Sequence, residues 1–148
     1  SKLNAAGIKC TVLTKGILPA SLAYLSSENE YGITLISLDE EYRKKMEPGA
    51  APYRERLEAL RSLYDAGCRT WVSIEPYPTP NLIEQSLGDL LDAVNFVNKI
   101  IFGRTNYSKE TSAYTEHRKF YNDKAAEVIQ YCAKHHIEYH IKEGTITD

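Results

Sequence analysis

MEPGAAPYRERLEALRSLYDAGCRTWVSIEPYPTPN, residues 46–81, decides the fold. After the turn Glu47-Pro48-Gly49, Pro52 opens a helix, because its fixed φ suits a first turn where its missing N–H is not needed. Leu57, Leu60, Leu63 and Tyr64 recur at helical spacing with Glu55, Glu58, Arg61 and Asp65 opposite, which predicts one buried face. Gly67 stops the helix. Thr70 to Glu75 then reads as a strand, with Pro76, Pro78 and Pro80 crowding its exit. A helix that runs directly into a strand is the repeating unit of an α/β protein.

Upstream of this unit, Leu3 to Gly7 reads as the tail of a helix, so the sequence is expected to begin within a fold already under way. Ile8 to Lys15 is a β-rich run, Pro19 opens a short helix to about Leu25, and Ile33 to Leu38 is a second strand. Asp39 to Met46 is a charged segment of one or two helical turns. Downstream, Asn81 with Glu84 makes a capping box for a helix whose buried stripe is Ile83, Leu87, Leu90, Leu91, Val94 and Val97. Lys99 to Gly103 is a fourth strand, followed by a polar loop. A last helix ends near His136 with Tyr121, Ala125, Val128, Ile129 and Cys132 inside, and Ile137 to Lys142 is a fifth strand.

Helix exit followed by strand recurs at AAGIKCTVLTKG, DAGCRTWVSIEP and AKHHIEYHIKEG. Alternating helices and strands imply a mainly parallel sheet with right-handed crossovers. Five strands cannot close an eight-stranded barrel. The predicted fold is therefore α/β, a partial (β/α) TIM-type barrel, in a single domain spanning 1–148.

With 148 residues, 43% hydrophobic and 26% charged, the composition is that of an ordinary globular domain. A net charge of −2 provides no electrostatic footprint for nucleic acid, so such a partner is unsupported, and no run is long and apolar enough to span a membrane. A cytoplasmic location is the expectation. Cys10, Cys68 and Cys132 lie about sixty residues apart, which matches no metal spacing and suggests small buried thiols. His135, His136 and His140 do not share a face and read as polar surface; the eleven tyrosines read as amphipathic packing.

Strand C-termini are where such folds bind ligands. Lys15, Ser37, Glu75, Arg104 with Asn106, and Lys142 with Glu143 stand at or near the five strand ends. Each alone is a solvated group; together they describe a cleft for a polar ligand.

Thr14-Lys15-Gly16, then Ile36-Ser37-Leu38, Glu47-Pro48-Gly49-Ala50, Arg56-Leu57-Glu58-Ala59-Leu60, Ala66-Gly67 and the Pro76 and Pro78 exit resemble, in order and spacing, the C-terminal half of the radical SAM core barrel, especially relatives of spore photoproduct lyase. The resemblance spans Ala6 to Asn106. It implies S-adenosylmethionine across the strand ends, a [4Fe–4S] cluster, and cleavage to a deoxyadenosyl radical by a lyase or oxidoreductase. It also implies that Lys15 and Ser37 meet the methionyl group. Glu75 is a candidate for ribose or substrate, with an ion pair to Arg104 or Lys15 as the alternative; Asn106 is a candidate for the adenine edge or a simple turn. Glu47 and Arg56 are read as a bracing ion pair.

No C-x₃-C-x₂-C occurs, so the cluster ligands are absent from this chain. They are expected upstream of Ser1, and the fragment alone is expected to be inactive. Two other readings stay open: a barrel aldolase or isomerase using Lys15 as a Schiff-base nucleophile, and a non-catalytic module that self-associates through the sheet edge at Ile8 to Lys15.

Overall fold

In the computed structural model, which describes residues 1–148, five parallel strands stand in strict chain order. A one-turn helix α1 (Lys2–Ala5), capped by the Ser1 side chain, precedes β1 (Thr11–Thr14). A 3-10 turn (Ala20–Tyr24) leads to β2 (Glu30–Thr34), α2 (Glu40–Met46), α3 (Tyr53–Asp65) and β3 (Arg69–Tyr77). There follow α4 (Leu87–Val94), β4 (Lys99–Arg104), α5 (Lys109–Ala113), α6 (His117–His135) and β5 (Glu138–Ile141). Sequential parallel order with right-handed crossovers has no reversal point, so the helices gather on one face and the sheet is a partial barrel.

The helix-facing side is the core. Ile33, Val72 and Ile100 lie side by side in register, as do Ile74 and Phe102, all fully buried. Leu60 and Leu63 of α3, Leu90, Leu91 and Val94 of α4, and Tyr121, Ala125, Val128 and Cys132 of α6 close over them. Each such leucine contributes about 2 kcal/mol of burial. Burial also raises the Cys132 thiol to about 11.

The opposite face carries no helix. Leu13, Gly32, Trp71, Lys99 and Glu138 form one row across all five strands. Trp71 lies on Gly32, where a Cβ would come within 2.4 Å of the indole. At the N-terminal end of the strands, Glu30 pairs with Lys9 at 3.2 Å and Arg69 at 2.7 Å. Arg69 also reaches Glu138 at 2.8 Å. This ladder ties β2 to β5 and satisfies its own charges.

Several boundaries differ from the sequence reading. β1 and β5 are four residues each, shorter than expected. β2 stops at Thr34, because the chain turns at Ser37, whose hydroxyl accepts from the Asp39 N–H at 3.0 Å. β3 runs on to Tyr77, with a register shift between Ile74 and Tyr77 around the cis Glu75–Pro76 bond. The capping box at Asn81 does not form. Ser86 caps α4 instead, and Asn81 donates to the Glu110 carbonyl at 2.8 Å, so Ile83 and Val97 lie outside the helix. Cys132 is buried as expected, whereas Cys10 and Cys68 are only partly so. Tyr64, expected on the buried face of α3, is exposed.

Gly32→Ala should force the indole off the sheet, with a loss of about 1–3 kcal/mol from overpacking. Trp71 is the sole tryptophan, so its emission reports the event directly. An unchanged emission maximum and melting temperature would show that the indole does not rest there.

Candidate functional site

Arg56 organises the C-terminal end of the sheet. It sits on the inner face of α3 with a side chain 0% exposed, which demands acceptors for its charge. Nε donates to the Ala51 carbonyl at 2.7 Å, Nη1 to the Thr34 carbonyl at 2.9 Å, and Nη2 to Glu47 Oε2 at 3.1 Å. Its guanidinium also lies 4.8 Å from the Tyr53 ring centroid. One side chain thus fixes the end of β2, the entry to α3 and the Glu-Pro-Gly turn relative to one another.

Glu47 carries a second cation. Lys15, the residue after β1, places Nζ 2.9 Å from Glu47 Oε1 while staying about half exposed. The Ala51 N–H donates to the Lys15 carbonyl at 3.0 Å, holding the backbone of β1 against the same turn. Burial would raise the Glu47 carboxyl, but the Lys15 ammonium and the Arg56 guanidinium outweigh it and hold the group below the ordinary carboxylate range. Burial, with the Glu47 charge adding, pushes Tyr42 up to about 12, and Tyr53 is raised likewise.

Between these loops lies a cleft of about 420 Å³, a size that suits a small organic ligand. The loops after β1 and β2 contribute Lys15 and Ile36, and α2 with its turn contributes Tyr42, Lys45, Met46 and Glu47. Across the cleft stand Pro76 and Leu82 after the β3 bulge, and Thr105, Ser108 and Glu110 after β4. The far wall is fixed by Tyr121, whose hydroxyl donates to the Tyr77 carbonyl at 2.6 Å and accepts from the Thr105 N–H at 3.2 Å. Four apolar side chains line the cleft, and cations and hydroxyls stand among them.

Of the residues expected to act together, only Lys15 lines this cleft. Ser37 is buried and faces a separate shallow depression beside Gln85, Ser86 and Asp89. Glu75 pairs with Lys142 at 3.7 Å, rather than with Arg104 or Lys15, and the two side chains close over Gly103. Asn106 is exposed in the loop before α5. Glu47 and Arg56 form the buried pair already described. Sequence reasoning passed over Tyr42, Lys45 and Glu110. The i, i+3 step from Tyr42 to Lys45 on a short helix beside the Glu-Pro-Gly turn was the available signal.

The three cysteines do not make a cluster site. Cys10 precedes β1, Cys68 precedes β3 at the opposite end of the strands from the cleft, and Cys132 is buried within α6. No group of three His, Cys, Asp or Glu side chains is placed to hold a metal ion. No helix is long and apolar enough to cross a membrane.

Arg56→Met should cost about 3–5 kcal/mol, since it leaves a buried carboxylate short of its main partner and two carbonyls without donors. Because the folded Glu47 carboxyl is held below its ordinary value of 4.5, its contribution is present above that value and lost as pH falls through the folded one. Glu47→Gln should therefore flatten the acid limb of the stability profile measured by denaturant unfolding. An acid limb unchanged in slope would separate Glu47 from acid stability.

No protein-family model matches the sequence. It is similar to an uncharacterized protein, ORF301, of Acidianus two-tailed virus, with 27% identity over 97 residues, covering 63% of this chain and 32% of that protein. The chain thus spans about a third of that relative's length. Its fold is similar to that of Streptococcus suis SuiB in its crystal structure, with a TM-score of 0.63 at 10% identity, over 95% of this chain and 34% of that one. At that identity the likeness is one of fold.

Proposed function

We propose that the chain is the C-terminal portion of a radical SAM-type half barrel, and that the cleft at its strand ends binds S-adenosylmethionine. The observation that carries this reading is Lys15. It is a cation at the end of the first strand, braced from behind by Glu47 and Arg56, and half open to a cleft with an apolar wall. An ammonium at this strand end suits the methionyl carboxylate. Ile36, Met46, Pro76 and Leu82 suit the ligand's hydrocarbon and base. The order of motifs from Thr14 to Pro78 and the parallel partial barrel support the same assignment.

Within this chain the work would be binding and orientation. Lys15 would hold the carboxylate, Thr105 and Ser108 would offer hydroxyls from the far wall, and Glu75 with Lys142 would border the open face of the sheet. The cysteines of this chain do not fit a [4Fe–4S] cluster, which on this reading belongs to other parts of a longer protein. When bound there, such a cluster supplies the electron for cleaving S-adenosylmethionine. The aldolase alternative is disfavoured, because a Schiff-base lysine needs an apolar or cationic setting, and Lys15 is half exposed and ion-paired.

Isothermal titration of the chain with S-adenosylmethionine should show saturable binding that Lys15→Ala weakens about tenfold, equivalent to about 1.4 kcal/mol. Methylthioadenosine, which lacks the carboxylate, should bind more weakly and be indifferent to that substitution. No heat at millimolar ligand, or equal affinity in Lys15→Ala, would refute the assignment.

One observation favours self-association as a second reading. Leu3, Ile8, Leu13 and Ile17 are each about half exposed beside the open edge at β1, and Lys9 and Lys15, which flank the strand, are paired with Glu30 and Glu47. Such an edge lacks free charge to repel another strand. Light scattering should show concentration-dependent dimers that Leu13→Lys disperses; a monomer at every concentration would dismiss it.

A further inference from the structure

Lys15 and Arg56 share one carboxylate, but they hold it on different terms. Arg56 is fully buried and fixed by the Ala51 and Thr34 carbonyls as well as by Glu47 Oε2. Lys15 is half exposed on a flexible stem, and Glu47 Oε1, although buried and 2.9 Å from Nζ, takes no aligned hydrogen bond. If Lys15 swings away, a neutral, bonded Glu47–Arg56 pair remains. The Lys15 contact is therefore the replaceable one. On the same cleft, Lys45 stands in no ion pair. The cleft thus holds two cations that an incoming anion can engage, above a wall of Ile36, Met46, Pro76 and Leu82.

We propose that Glu47 is an internal stand-in for a ligand carboxylate. The rim cleft binds organic carboxylates with an apolar body, and the incoming carboxylate takes Lys15 from Glu47. This rests on the cleft being a ligand site, as the proposed function does, but not on the ligand being S-adenosylmethionine. Glu47 acts as a brake on Lys15 and does not touch the ligand. Its contact with Lys15 sets how strong an anion must be to take that ammonium, so weakly anionic groups are rejected.

The consequence has a definite sign. Glu47→Gln leaves Lys15 and Arg56 with no anion between them, so a carboxylate should bind more tightly than to the parent chain. A Glu47 that merely shaped the cleft would produce the opposite result when removed. Lys15→Met should abolish the gain, because the released cation is then missing.

The test is isothermal titration with 4-phenylbutyrate and its neutral amide, using chain whose folding is checked by circular dichroism. The parent chain should prefer the acid at least tenfold. Glu47→Gln should bind the acid about fivefold more tightly, and Glu47→Gln combined with Lys15→Met should lose it. Glu47→Asp, which keeps the charge but draws it back from both cations by one methylene, should shift affinity the same way by less and serves if Glu47→Gln does not fold. Lys45→Glu should weaken the acid about tenfold. Equal binding of acid and amide, or acid binding that is unchanged or weaker in folded Glu47→Gln or Glu47→Asp, overturns the proposal. S-adenosylmethionine in the same series separates the two claims. Phenylbutyrate binding with the Glu47 gain, but no S-adenosylmethionine binding, sinks the proposed function and leaves this inference standing.

Discussion

A buried guanidinium is tolerable only when nearly every donor is answered, and that requirement shapes the strand-end half of this molecule. Arg56 finds its acceptors in three segments, only the first of them distant in the chain: the last carbonyl of β2, a carbonyl just before α3, and the Glu47 carboxylate. Satisfying them forces the Glu-Pro-Gly turn down against the sheet. That places Tyr42, Lys45 and Met46 of α2 along one wall of the cleft. Removing the charge pair wholesale for apolar residues could leave stability intact, as with other buried pairs. The cleft wall, however, would lose what positions it.

The two ends of the sheet treat charge differently. At the N-terminal end, Lys9, Glu30, Arg69 and Glu138 answer one another in a closed ladder across the strands. At the C-terminal end, two cations share Glu47, Lys45 has no partner, and a cavity separates them from the hydroxyls after β4. Barrels of parallel strands divide labour this way, with stability at one end and ligand chemistry at the other. The bare face of the sheet, with Trp71 lying on Gly32, follows from the same one-sided winding.

Much of the fold was legible because helix and strand periods are local. The α3 stripe, the Gly67 stop and the strand that follows needed only neighbouring residues. The Glu47 to Arg56 brace was also readable, since both flank one turn. What escaped depended on distant partners. Asn81 and Glu84 satisfy the local rule for a capping box, yet Asn81 is drawn to the Glu110 carbonyl across the cleft and Ser86 caps the helix. Glu75 has Lys142 from β5 as its neighbour, a pairing set by sheet order. The strand-end residues share a rim as read, but the register shift at Pro76 and the turn at Ser37 send them into different surroundings, so only Lys15 reaches the cleft.

Met46 is the only methionine, and its side chain stands in the cleft wall built around Arg56. A ¹³C-methyl label on methionine therefore yields a single resonance located at the proposed ligand end. Titration with S-adenosylmethionine should move that resonance saturably, and the emission of Trp71 on the open sheet face should change less. A methyl resonance that stays fixed while the ligand binds elsewhere, or no binding at all, would contradict the account that the Arg56-braced rim is the functional end of the molecule.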